Sequence, residues 1–382
     1  MGPSRGLCCS LMTALGLAWA WPAVATEQKD EPFPTLGRLH RDADHPWLQE
    51  FWVLGRYHGQ YHWSEGNAGE DEGWEDRRLR AGFQARMFDK LTVHAQAVSG
   101  TDLEPFYNGF TELWVGWRFS DAVVLTVGQQ KHRFTHDRNV SSRYLNYLER
   151  GMLTNMFGLD YTPAVTLSGT VKDWTYYTGV FSNSTDRNMG RAFSELDTGY
   201  SFLASGTKDL KGAGGMDSTH VNFAYLYTDA KGTPTNLNRF EHGLNTAVIV
   251  TKGSKALVAE LTAGLGGPGG DAIGLNLQPS WFVTRKLQLV ARYQIAVSES
   301  ETGLRAQRRY ERPAGLNRGE LYQAAYLGGD YYIAAHRFKV MAGLEYARMD
   351  NRDVWTSSVA VRMFFGPHSR GPFPAAMLLE PD

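Results

Sequence analysis

FWVLGRYHGQYHW, residues Phe51–Trp63, sorts its side chains into two rows suited to different solvents. One row is Phe51, Val53, Gly55, Tyr57, Gly59, Tyr61 and Trp63; the other, beyond Leu54, is Arg56, His58, Gln60 and His62. Successive side chains of a strand point to opposite faces, so this segment meets an apolar medium on one side and water on the other. A soluble sandwich also alternates, but its outer face carries Lys, Glu and Thr, whereas aromatics form the apolar row here. A strand crossing a bilayer needs about 9 to 11 residues, which this segment supplies.

The same division recurs along the chain. Leu79, Ala81, Phe83, Ala85 and Met87 oppose Arg78, Arg80, Gly82, Gln84 and Arg86, and Leu91, Val93, Ala95 and Ala97 oppose Thr92, His94 and Gln96. Further apolar rows run from Leu113 to Phe119, Val221 to Tyr227, Leu257 to Ala263, Leu287 to Ile295 and Trp355 to Phe365. Short breaks fall at Asp89-Lys90, Ser120-Asp121, Gly253-Ser254, Arg285-Lys286 and Ala335–Arg337. Long polar breaks fall at Ser64–Asp76, Ser99–Asn108, Lys131–Thr162, Ser184–Thr198, Lys231–Gly243 and Glu301–Arg318. Short periplasmic turns alternating with longer outer loops mark a membrane barrel. The reading is an all-β fold over residues 47–365: a transmembrane antiparallel β-barrel of 16 strands, with 14 or 18 left open by the faint strands near Tyr200, Asn245 and Leu321.

Composition agrees. Aromatics are 13% of the 382 residues and glycines number 41, yet after the N-terminus no window holds 18 consecutive apolar residues, which excludes helical membrane spans. Residues 1–25 read as an export signal, with Arg5 before the apolar stretch Leu7–Ala20 and Ala23-Val24-Ala25 as the small-residue cleavage site. Both cysteines, Cys8 and Cys9, lie in that segment, so the mature chain offers no thiol chemistry. Residues 26–46 are expected to form a periplasmic leader, and 366–382 a C-terminal extension. No cofactor, metal or nucleic-acid partner is called for.

The longest connection, Lys131–Thr162, holds Lys131, Arg133, Arg138, Arg143 and Arg150 against only Asp137 and Glu149 up to residue 150. A loop of this length in a compact fold generally carries function. It reads either as a basic surface loop binding lipopolysaccharide phosphates or as a third outer loop folded into the barrel to constrict it. Inward positions include Arg56, Arg78, Arg80, Arg86, Arg118, Arg292, Lys339 and Arg362 against Glu112, Glu260 and Glu345, on a chain whose net charge is −1. A low-dielectric wall focuses that excess into the interior. Arginine stays charged, is weakly hydrated and forks onto phosphate or carboxylate oxygens. The rival reading pairs these arginines with acids in a neutral ring. Opposing anion traffic, Ser64–Asp76 holds six acids and no base, and Arg305, Arg308, Arg309, Arg312 and Arg318 in the seventh loop partly offset them.

Gly128-Gln129-Gln130-Lys131, Phe134, Asp137, Ser141-Ser142 and Leu148-Glu149-Arg150 together resemble the phosphate-selective porin family, porins O and P. Arg77-Arg78-Leu79-Arg80, Tyr176–Asn183 and Leu289–Tyr293 extend the likeness over most of residues 50–365. The resemblance implies a trimeric 16-stranded barrel of the outer membrane that passes phosphate or polyphosphate along a ladder of arginines and lysines. It would place Arg77 and Arg78 as paired arginines at a central site, and Arg138 and Arg143 where relatives carry lysines. Arg133 and Gln130 depart from the family's proline and phenylalanine, and residues after Phe365 extend past its usual aromatic end. The anion-binding, pore-lining residues expected are therefore Arg56, Arg77, Arg78, Arg80, Arg86, Arg118, Lys131, Arg133, Arg138, Arg143, Arg150 and Arg292.

The alternatives are a non-selective porin, a barrel enzyme and an adhesin. No Gly-x-Ser-x-Gly nucleophile motif occurs to go with His58 and His62 on one inward row or His132 and His136 in the long loop, and these histidines read as polar wall and loop groups. An adhesin has no use for inward arginines. Steady conductance with chloride preferred over potassium separates the three.

Overall fold

The structure is a computed structural model that describes residues 33–157, 160–183, 199–229, 240–267 and 269–367. A short strand β1 (Arg38–Arg41) precedes β2 (Glu50–Gly66), β3 (Gly69–Met87), β4 (Leu91–Val98), β5 (Phe110–Ser120), β6 (Val123–Lys131), β7 (Tyr161–Val171), β8 (Trp174–Ser182) and β9 (Tyr200–Asp209). Then come β10 (Ser218–Asp229), β11 (His242–Lys252), β12 (Lys255–Leu265), β13 (Ala272–Phe282) and β14 (Leu287–Ser298). A two-residue pair, β15 (Leu304–Arg305) and β16 (Arg318–Gly319), precedes β17 (Leu321–Ala334), β18 (Phe338–Met349) and β19 (Arg352–Phe365).

Each of β2–β14 and β17–β19 pairs antiparallel with its sequence neighbour, and β19 returns to β2 from Val354↔Gly66 to Phe365↔Gly55. The result is a closed barrel of 16 strands, so no sheet edge is left to lipid, where an unpaired backbone group has no water to satisfy it. β2 outlasts β19 at its start, and β1 covers that stretch through Arg38↔Trp52 and Arg41↔Glu50. The faint strands near Tyr200, Asn245 and Leu321 are β9, β11 and β17, each paired over its length.

The apolar rows read from sequence face outward in the described strands, and β3 changes parity at a bulge beside Arg77. Phe223, Leu244, Val248, Leu261, Leu289, Leu344 and Val359 point outward and are exposed, a surface suited to hydrocarbon. Arg56, His58, Gln60 and His62 on β2, and Gln288, Arg292 and Gln294 on β14, are buried on the opposite row. One expected loop is not a loop: Ser64–Asp76 belongs almost wholly to a long β2–β3 hairpin, paired out to Gly66↔Gly69 and turning at Asn67-Ala68. Glu, Asp and Gly are poor strand formers, which is why the segment reads as loop, but pairing overrides propensity here. Residues 1–32, which include the expected export signal, Ser184–Thr198, most of Lys231–Gly243 and residues after 367 lie outside the described residues.

The third outer connection, residues 132–160, carries two short helices, α1 (His136–Asn139) and α2 (Met152–Phe157). It is held by the interior of the barrel from two sides. Phe134, Met152, Leu153, Met156 and Phe157 pack with inward Tyr177, Phe181, Leu203, Ala224 and Leu226 in one buried apolar cluster. Tyr147 and Leu148 join Val290, Tyr326, Met341 and Ala360 in another. The inward faces of β8–β10 thus carry an apolar patch amid polar residues such as Ser201, Ser205 and Asn222, and there the loop rather than water covers them.

Candidate functional site

Polar wall residues complete the seating of the loop. Arg362 donates to the carbonyls of Leu145, Tyr147 and Leu148 at 2.7 to 3.2 Å, Lys339 to that of Leu145 at 2.7 Å, and Arg292 to that of Glu149 at 2.8 Å. On the far wall, Glu260 accepts the His136 backbone N–H at 2.6 Å and Asn245 at 2.8 Å. Asp137 accepts the Gly151 N–H at 2.6 Å and Gln278 at 2.9 Å. These acids satisfy loop donors that would otherwise be buried unpaired.

The loop faces β2 and β3 across a cluster of cations. Arg56 donates to the Ser142 hydroxyl at 2.6 Å, Arg80 to the Tyr161 hydroxyl at 3.2 Å, and Arg78 lies 3.4 Å from His58 Nδ1. From the loop side, Arg150 donates to the carbonyls of Asp137 and Val140 at 2.9 Å, and Lys131 to that of Val140 at 3.2 Å. Arg143 donates to the Pro367 carbonyl at 2.7 Å. Among the described residues, Arg56, Arg78, Arg80, Lys131, Arg143 and Arg150 have no carboxylate at ion-pairing distance. Neutral oxygens and nitrogens hold them in place and leave their charge uncancelled. The Tyr161 ring lies beneath both Arg80, at 5.5 Å, and Arg138, at 5.0 Å. Arg138 also meets Asp160 at 3.4 Å, and Arg133 lies 5.6 Å over Tyr177.

Arg77 reaches the interior through a bulge. His58 pairs with Arg78 and the next residue, Gly59, with Asp76, so Arg77 is the extra residue of β3 and the parity of the strand flips there. Beyond it Glu75 joins the inward row and accepts from Gln60 at 3.3 Å. Strict alternation puts Arg77 on the lipid side; the bulge gives both neighbouring arginines an inward direction.

Acids gather in a separate network nearer the outer end. Glu149 accepts Arg77 at 3.1 Å, Arg309 at 2.6 Å and Gln60 at 3.1 Å, and Arg309 also holds Glu75 at 2.7 Å. Burial alone would raise the Glu149 carboxyl, but Arg77, Arg309 and Arg78 outweigh it and hold the group well below the usual carboxylate range. Arg309 and Arg312 stand on α3 (Arg308–Ala314) of the seventh outer loop, and Arg312 meets Asp71 at 3.3 Å. Two of the hairpin acids are thereby met by the two loop arginines opposite them. The hub role of Glu149 carried no sequence signal beyond its place among basic residues and in the Leu148-Glu149-Arg150 motif of the family likeness, and Tyr161 none at all.

Not every expected residue joins the cluster. Arg86 is exposed at the periplasmic end of β3, and Arg118 is exposed and paired with Asp121 at 3.1 Å. Arg292 is buried but pairs with Glu345 at 3.0 Å. Among the described residues no three His, Cys, Asp or Glu side chains group to hold a metal.

A profile of the phosphate-selective porin O and P family matches residues 52–263, which contain the long hairpin, the cation cluster and the whole of the third loop. The chain belongs to that family. This porin is therefore an outer-membrane barrel of the Gram-negative type, a channel by family and fold. Its fold is similar to OmpF of Salmonella typhi, with a TM-score of 0.60 at 11% identity over 83% of this chain and 98% of that one. OprB of Pseudomonas putida gives 0.57 at 11% over 82% and 94%. An anion-selective porin from Comamonas acidovorans gives 0.56 at 12% over 82% and 99%. No curated protein matches the porin by sequence.

Proposed function

We propose that this porin passes small anions by diffusion, with phosphate-like oxyanions favoured, past Arg56, Arg78, Arg80, Lys131, Arg143 and Arg150. The observation that carries this reading is the absence of ion-paired carboxylates from those six cations among the described residues, four of them (Arg56, Arg80, Lys131 and Arg143) buried and Arg78 and Arg150 part-buried. Charges held by neutral ligands keep their field, and a low-dielectric wall focuses it. Several moderate sites in series let an anion enter and leave, where one deep trap would hold it. The third loop acts as the constriction, and Arg77, Arg133 and Arg138 flank the path; Arg86, Arg118 and Arg292 contribute at most general field. Family membership and the likeness to an anion-selective porin support the reading.

A non-selective pore is the second reading, favoured by the pairing of Arg77, Arg309 and Arg292 with Glu149, Glu75 and Glu345. Planar-bilayer recording in a potassium chloride gradient decides between them. Arg78→Glu together with Arg80→Glu is expected to abolish or reverse an anionic reversal potential, and phosphate to block chloride current in the wild type. An unchanged reversal potential in the double variant would leave only the non-selective pore. Removal of residues 1–25 on export and assembly as a homotrimer complete the proposal; N-terminal sequencing and crosslinking of the purified porin test them.

A further inference from the structure

Lysine is unevenly placed in this chain. Of its 11 lysines, seven (Lys90, Lys172, Lys208, Lys211, Lys252, Lys255 and Lys286) lie in or beside the short turns at the end of the barrel that holds β1 and the close of β19. Six of these fall in one sector, from β7 to β14, where Arg285 adds a seventh cation and only Asp173, Asp209 and Asp217 oppose them. Lys172, Lys211, Lys252, Arg285 and Lys286 are exposed.

The direction of three of them matters more than the count. Lys208, Lys252 and Lys255 occupy the turn-side end positions of the lipid-facing rows of β9, β11 and β12, opposite in parity to buried Thr207, Thr251 and Ala256. Lys208 lies 5.4 Å over outward Trp174, and Lys255 lies 5.8 Å over Trp281. Tryptophan sits at the level of lipid headgroups, and a lysine stem lies along apolar surface with its ammonium reaching toward water. The ammonium groups therefore stand where the phosphates of the periplasmic leaflet stand.

We propose that the periplasmic rim of β7–β14 binds anionic phospholipid headgroups, the lysines meeting the phosphodiester while Trp174 and Trp281 pack beside the glycerol backbone. Lysine suits this work because a compact ammonium on a flexible stem follows a mobile headgroup, whereas the planar arginine fork suits the fixed sites in the interior. Lys208 and Lys211 meet Asp173 at 3.4 and 3.7 Å, one carboxylate shared by two solvent-accessible ammonium groups, which leaves the rim a net positive charge for a phosphodiester. Each lysine near an anionic surface strengthens attachment about fivefold, from roughly 1 kcal/mol apiece.

The porin reconstituted in phosphatidylcholine vesicles, probed by electron spin resonance with spin-labelled phosphatidylglycerol or phosphatidylcholine, reads this directly. The wild type is expected to prefer the anionic probe several-fold, and added salt to erase the preference. Lys208→Gln, Lys211→Gln, Lys252→Gln and Lys286→Gln together are expected to bring the ratio near one while conductance and reversal potential stay unchanged. No preference in the wild type, or the same preference in the quadruple variant, overturns the proposal. So does displacement of the anionic probe by inorganic phosphate beyond that caused by chloride at equal ionic strength, which would assign the rim to free phosphate.

Discussion

Arg77 and Arg78 are consecutive in the chain and both turn into the barrel, the first onto Glu149 at 3.1 Å and the second toward His58 at 3.4 Å. The bulge between His58 and Gly59 makes this possible, and it is flanked by pairs in regular register on either side. Removing the extra residue therefore removes a guanidinium and a kink without displacing the pairs beyond. A variant lacking Arg77 is expected to assemble with its heat-dependent gel shift intact and to show a weaker anion preference in bilayers. Failure to assemble, with Arg77→Gln assembling normally, would mean that the bulge shapes the hairpin and is more than a way of aiming a side chain.

Glu149 makes the outer network sensitive to acid in a defined direction. A carboxyl depressed in the folded state stabilises fully above its unfolded pKa of about 4.3 and loses that contribution as pH falls through the lower folded value. The links from Glu149 to Arg77 and Arg309 should thus survive mild acid and open only well below pH 4.3 or so. Conductance noise recorded against pH is expected to rise in that acid range in the wild type. Glu149→Gln should show no such transition and, with Arg77 released and Arg309 left to Glu75 alone, a greater chloride-to-potassium permeability ratio at neutral pH. A transition that persists in Glu149→Gln would point to another acid.

Much of this molecule is written in side-chain parity, because the strand period of two survives even where single strands are faint. Phe51–Trp63 and Trp355–Phe365 announce a lipid face outright, and the rhythm of short and long breaks carries the count of 16 through β9, β11 and β17. Three features stayed illegible for separate reasons. A bulge changes parity without changing composition, so alternation alone does not turn Arg77 inward, and only the family likeness pointed to it. The acid run at Glu70–Asp76 reads as loop because its partners, Arg309 and Arg312, lie more than two hundred residues away. Tyr177, Phe181, Leu203 and Leu226 face inward and apolar because the third loop covers them, a contact between segments far apart in sequence.

That apolar seat predicts how the loop moves. Phe157 is fully buried, with its ring 4.7 Å from Phe134 and 5.2 Å from Phe240. Truncating such a ring costs about 3 to 5 kcal/mol, borne by the docked loop rather than by the hydrogen-bonded wall. Phe157→Ala is expected to raise mean conductance and its fluctuation while the gel-shift temperature changes little. A quiet channel of wild-type conductance would show that Arg362, Lys339 and Arg292 hold the loop without the apolar seat.

Val359 and Ser358 are adjacent on β19, midway along the strand, the first half exposed to the outside and the second buried inward. Arginine on a lipid face at the bilayer midplane costs about 2 to 4 kcal/mol, and substitutions facing the lumen change selectivity with less effect on stability. Val359→Arg is therefore expected to lower the urea midpoint of refolding into vesicles by a margin that Ser358→Arg does not approach. Ser358→Arg should instead shift the reversal potential further toward the anion side. Equal destabilisation by the two variants would contradict the assignment of one row to hydrocarbon and the other to the interior, and with it the placement of every arginine in the cluster.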